Sequence, residues 1–161
     1  MSFSANRIWR QMPEETRIAA SKRFWAELKG AGKQPLFAFL AKAKNLREVT
    51  VRKTPIERLA NWTAATLSLP DPIVEELLKN YILHEHRAVI VSFLELLNIP
   101  HADGMIDESF DLATLSNEQV QKAAHSLLGS TDRTGAVLYL KYLVLQGGPW
   151  AAIEEVLSAE E

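Results

Sequence analysis

The chain contains no cysteine. That single absence excludes disulfides, cysteine-ligated zinc, iron–sulfur clusters and thiol catalysis. No apolar run approaches the roughly 18 residues that a membrane helix needs. The opening residues, MSFSANRIWRQMPEE, have neither an apolar stretch nor a small-residue cleavage site, which reads against a secretory signal. The expected setting is the cytoplasm, with no membrane partner. Glycine is sparse, at seven residues in 161, and builds no phosphate loop. In KGAGK, residues 29–33, the glycines stand too close together and no Ser or Thr follows. The G-x-S-x-G nucleophile motif is also missing. These absences lean away from an enzyme, and nothing in the chain asks for a cofactor.

What is present is an ordinary soluble composition, with 47% apolar and 24% charged residues. A length of 161 residues suits one domain, residues 1–161, with a real core. The net charge of −2 conceals a gradient. Residues 1–58 carry 13 Lys/Arg and 5 Asp/Glu, whereas residues 59–161 carry 5 and 15. A basic first part and an acidic remainder bear on partners rather than on fold.

Periodicity and end signals give a run of helices. Residues 14–29 place Ile18, Ser21, Phe24, Trp25 and Leu28 on one arc, with Pro13 suited to the first helical position and Gly30 and Gly32 as the exit. Pro35 opens a second helix over 35–44. Residues 45–53 read as a connection or a frayed helix, since one short strand would have no partner. Thr54, Pro55 and Glu57 predict a capping box for a helix to Leu67, and Asp71 with Pro72 predicts the next start.

From 72 to 98 no glycine or proline intervenes, yet the apolar face swings by about 140° between Ile73–Tyr81 and Val89–Leu97. One straight helix cannot bury both faces, so a break is predicted at Leu83–Glu85. Further on, Ser116 and Gln119 predict a capping box with exit at Gly129. Thr131 or Asp132 starts a helix that is apolar almost all round and therefore central. Gly147 ends it, and Pro149 opens a last helix carrying Trp150, Ile153, Val156 and Leu157, with a frayed SAEE tail. The expected fold is all-α, an irregular single-domain bundle of about eight helices without a convincing strand.

Three groups of residues bear on function. His84, His86, His101 and Asp103 are the weak candidates for a metal site, as part of a small metal-dependent enzyme or metal-binding protein. The i, i+2 spacing of His84 and His86 puts their rings about 200° apart on a helix, which disfavours shared ligation. Asp103-Gly104 is a turn dipeptide. His125 reads as a half-buried packing residue. The basic residues Arg7, Arg10, Arg17, Lys22, Arg23, Lys29 and Lys33, interleaved with Trp9 and Trp25, form a candidate binding face. Such a pattern can hold nucleic acid, but the acidic remainder would repel it. The leading expectation is a non-enzymatic helical protein that works by protein–protein contact, its partner another protein or a second copy of itself.

Overall fold

The computed structural model describes residues 3–27, 30–130 and 132–160. It is all-α, with ten α-helices among the described residues. By packing, the chain divides into an N-terminal unit, Ser4–Tyr81, and a C-terminal unit that starts at Ile82.

The N-terminal unit contains α1 (Ala5–Gln11), α2 (Glu14–Glu27), α3 (Gly30–Lys44), α4 (Glu48–Arg52), α5 (Ile56–Ala65) and most of α6 (Asp71–Glu85). Its main pairing is α2 against α5. Phe24 and Trp25 are buried as the arc on α2 predicts, and α5 buries Leu59, Ala60, Thr63 and Ala64, with Trp25 bonded to Thr63. Leu28 and Lys29 lie outside the described residues.

Polar side chains close this unit by capping α5. A helix leaves its last carbonyls without internal donors. Here Thr66 Oγ1 donates to the Trp62 carbonyl at 2.7 Å, and Arg17 Nε donates to that of Ala64 at 2.9 Å. Trp9 Nε1 donates to the Thr66 carbonyl at 3.0 Å, and Asn6 Nδ2 donates to those of Leu67 and Leu69. Side chains of α1 and α2 thereby hold the end of α5 and the loop after it.

Several helix ends differ from expectation. Gly30 and Gly32 do not end α2; they lie in the first turn of α3, and Pro35 sits inside that helix instead of opening it. Pro35 is the sixth residue of α3, so the helix forgoes one backbone bond at that position. The Thr54 capping box does not form. Thr54 Oγ1 donates back to the Thr50 carbonyl at 2.9 Å, and Pro55 takes the cap position of α5 with no side-chain cap. At α6 it is the Pro70 carbonyl that accepts from Ile73 and Val74, while the Asp71 carboxylate accepts from the Asn6 backbone N–H at 2.8 Å. Within 45–53, read as a connection or a frayed helix, Glu48–Arg52 form the short helix α4.

The predicted break exists, one residue past the expected stretch. α6 ends at Glu85, α7 spans Arg87–Leu96, and His86 between them is non-helical. The C-terminal unit continues with a small hairpin, β1 (His101–Ala102) and β2 (Met105–Ile106). Asp103 and Gly104 both take positive φ at its tip, as a two-residue hairpin turn requires. This short ladder was not expected from the sequence. Then come α8 (Asn117–Leu128), α9 (Arg133–Gln146) and α10 (Ile153–Ala159).

The Ser116–Gln119 box and the Gly129 exit form as predicted. Gly147 and Gly148 have φ of 71° and 58°, which only glycine adopts freely. Phe93, fully buried, packs edge-on to Tyr139 and obliquely against Trp150. The tail is not frayed as far as Glu160: its carboxylate takes a 2.6 Å bond from Arg133 Nη2. His125 is exposed, not half-buried, because it points off the solvent side of α8.

Candidate functional site

The structure separates the histidines that sequence placed together as metal candidates. His101 Nδ1 accepts the Gly104 backbone N–H at 3.1 Å, and its Nε2 faces Glu95 at 3.9 Å. Asp103 pairs with Arg87 at 2.7 Å. His84 is exposed on the last turn of α6. Among the described residues, no three His, Cys, Asp or Glu side chains gather as a metal ion needs.

His86 has a different partner, 46 residues away. Its Nδ1 lies 2.8 Å from Asp132 Oδ2. Asp132 is the cap residue of α9, and its Oδ1 accepts the Gly135 backbone N–H at 2.9 Å. One carboxylate thus caps α9 and orients the imidazole at the start of α7. The space for this exists because residue 135 is glycine. A Cβ there would stand 2.4 Å from His86 Nδ1 and 2.5 Å from Asp132 Oδ2. Carboxylate–imidazole pairs orient general bases in enzymes. On these contacts the pair joins the beginnings of two helices.

The Asp132 carboxyl is held below the ordinary aspartate range. The Gly135 N–H is the largest cause, opposed by partial burial and assisted by His86. The sign follows. An unfolded chain binds this proton at a higher pH than the folded one, so the contribution to stability is present above the unfolded value and is lost as pH falls through the folded value. Asp132→Asn keeps an acceptor for the cap but removes the charge. The variant is expected to be slightly less stable than wild type at neutral pH, with the gap closing in acid as Asp132 becomes protonated. Urea midpoints across pH check this; a constant gap would mean that the charge plays no part.

The basic candidates also disperse. Arg17 spends Nε on Ala64 and Nη1 on the Met12 carbonyl at 2.5 Å, so it is a structural clamp. Lys33 Nζ donates to the Trp25 carbonyl at 2.6 Å. Arg23 pairs with Glu27 one turn along α2. Arg7 is half-buried, while Arg10 and Lys22 are exposed. Trp9 and Trp25 are core residues at 0% and 1% exposure, unavailable for stacking on a base. Lys29 lies outside the described residues.

The charge gradient fares differently. Residues 4–81 hold 14 Lys/Arg and 8 Asp/Glu, a net +6. Residues 82–161 hold 4 and 12, a net −8. The two compact units are therefore oppositely charged. Sequence reading counted 42–58 within the basic first part but did not single it out as a face; there Leu46, Val49 and Ile56 stand exposed among cations. No helix among the described residues is long and apolar enough to cross a membrane. No family model, curated protein or solved structure matches this chain.

Proposed function

We propose that this protein acts by protein–protein contact rather than by catalysis, and that it associates with copies of itself. The observation that supports the reading is the opposite net charge of the two compact units, +6 and −8. Opposite surfaces steer encounter and fix register. A molecule that carries both is complementary to its own copies. The dispersal of the histidines leaves the competing metal reading without a gathered site among the described residues.

Light scattering after gel filtration tests this across protein concentration and salt. Association is expected at low ionic strength and should weaken towards about 1 M salt, where screening shortens to about 3 Å. A monomer under every condition would remove the proposal. Arg10→Glu/Lys22→Glu/Arg23→Glu, which reverses charge on the first two helices, should weaken association if the whole basic unit contributes.

A further inference from the structure

The self-association proposed above needs a pair of surfaces, and two are present. Among the described residues six large apolar side chains are exposed. Three of them, Leu46, Val49 and Ile56, fall within eleven residues of the N-terminal unit, with Val49 at 52% and Ile56 at 47% exposure. Two others, Leu96 and Met105, belong to the C-terminal unit, with Met105 at 61%. Exposed apolar side chains concentrated in a charged setting mark contact surfaces more than scattered ones do.

The charges around the two groups are opposite. Residues 42–58 contain six Lys/Arg and two Asp/Glu. Arg52 is engaged within the unit, stacked on Phe37 and bonded to Gln34, and Lys44 lies over the Trp62 ring. Lys42, Arg47, Lys53 and Arg58 have no ion-pair partner among the described residues. Residues 95–111 contain five Asp/Glu and no Lys/Arg.

Two of these acidic residues, Glu95 and Asp103, share a support. The hairpin is seated on α7: Gly104 faces Ile90 and Val91, Asp103 bonds Arg87, and His101 faces Glu95. Leu96 is the next residue on that helix. It lines two grooves of about 200 and 370 Å³ beside α8, both of which include Ser126. The smaller groove's lining is mixed, with Leu96, Leu97 and Ala123 beside Asn98, Gln119 and Lys122, and the basic stretch carries exposed apolar side chains.

We infer that the 42–58 stretch of one molecule docks on the α7–hairpin surface of a second copy, with Val49 and Ile56 against Leu96. The cations of the stretch face the carboxylates of Glu95 and the hairpin region. Apolar contacts at the centre and opposite charges around them are the usual anatomy of a specific interface. The inference rests on self-association, and it names the surfaces that carry it.

A charge-swap experiment separates the two claims. One variant is Arg47→Glu/Lys53→Glu/Arg58→Glu; the other is Glu95→Lys/Glu108→Lys. All five positions are exposed, so unchanged far-UV circular dichroism is expected. Each variant alone should raise the dissociation constant of self-association at least about tenfold, since like charges then meet. Mixed one to one, the variants should recover association, because every reversed charge finds a reversed partner. Wild-type association that neither variant alters would overturn these surfaces and leave self-association standing. A monomeric wild type would overturn both, as would a 42–58 stretch that binds anionic vesicles or single-stranded DNA while the protein stays monomeric. Loss of association in both variants without recovery on mixing would also overturn the pairing.

Discussion

Gly135→Ala is expected to destabilise the protein by about 1–3 kcal/mol, although alanine is the better helix former. Propensity alone favours the substitution by about 1 kcal/mol, because glycine loses more backbone freedom in a helix. Against that stands the pair of His86 and Asp132. The new Cβ would come within 2.8 Å of three of its atoms, Asp132 Cγ among them. The carboxylate tip could move, but it would abandon the Gly135 N–H and uncap α9, at a cost of about 1 kcal/mol. Turning the imidazole away would break its bond to Asp132, at about 0.5–1.5 kcal/mol. Leaving both in place forces overpacking of about 1–3 kcal/mol.

Gly129→Ala is the control. Gly129 has φ of −81°, and the nearest atom to its Cβ is 3.5 Å away, so little change is expected. Urea unfolding followed by circular dichroism measures both variants. His86→Ala should reduce the cost of Gly135→Ala, since it removes one of the colliding groups; that coupling identifies the cause. A Gly135→Ala protein more stable than wild type would show that the pair yields freely and contributes little.

The same site shows what can be read from a sequence and what cannot. The break between α6 and α7 was legible because burial sets the phase of apolar residues, and a phase change is local information. The Ser116–Gln119 box was legible because both partners lie within one turn. Thr54 and Glu57 have the same spacing, but Thr54 finds a closer acceptor in the turn before it, and Pro55 moves the helix start by one residue. Partner choice over long separations was not legible. Nothing near His86 points to Asp132, and the only clue is a glycine three residues after an aspartate in an otherwise apolar helix. Arg17 likewise looks like surface charge until the end of α5 supplies a carbonyl for it. The boundary between the two units was hidden for another reason. It falls within α6, where no proline, glycine or polar run marks it.

The largest single effect is expected at Trp25. Its side chain is 1% exposed and packs edge-on against Phe24, with ring centres 5.7 Å apart, and obliquely against Phe37 at 5.1 Å. Truncation of a buried aromatic to alanine costs about 3–5 kcal/mol through lost transfer energy and the cavity left behind. Collapse around the cavity is hindered here, because α2 and α5 are also joined by the bond from Arg17 to Ala64. The indole contributes a polar bond as well. Nε1 donates to Thr63 Oγ1 at 3.0 Å, while that hydroxyl donates to the Leu59 carbonyl at 2.7 Å. The hydroxyl therefore keeps a partner when the indole is removed, and the loss is mainly one of packing. Trp25→Phe tests this division: it keeps an aromatic ring and deletes the N–H, so it should cost clearly less than Trp25→Ala. Trp62→Ala is the surface comparison, half-buried with Lys44 over its ring, and should cost less again. Typical domains have only about 5–15 kcal/mol of stability, so Trp25→Ala is expected to leave the N-terminal unit marginal or unfolded. Denaturant midpoints for the three variants decide the matter. If Trp25→Ala costs no more than Trp62→Ala, the contact of α2 with α5 is not the core of this unit.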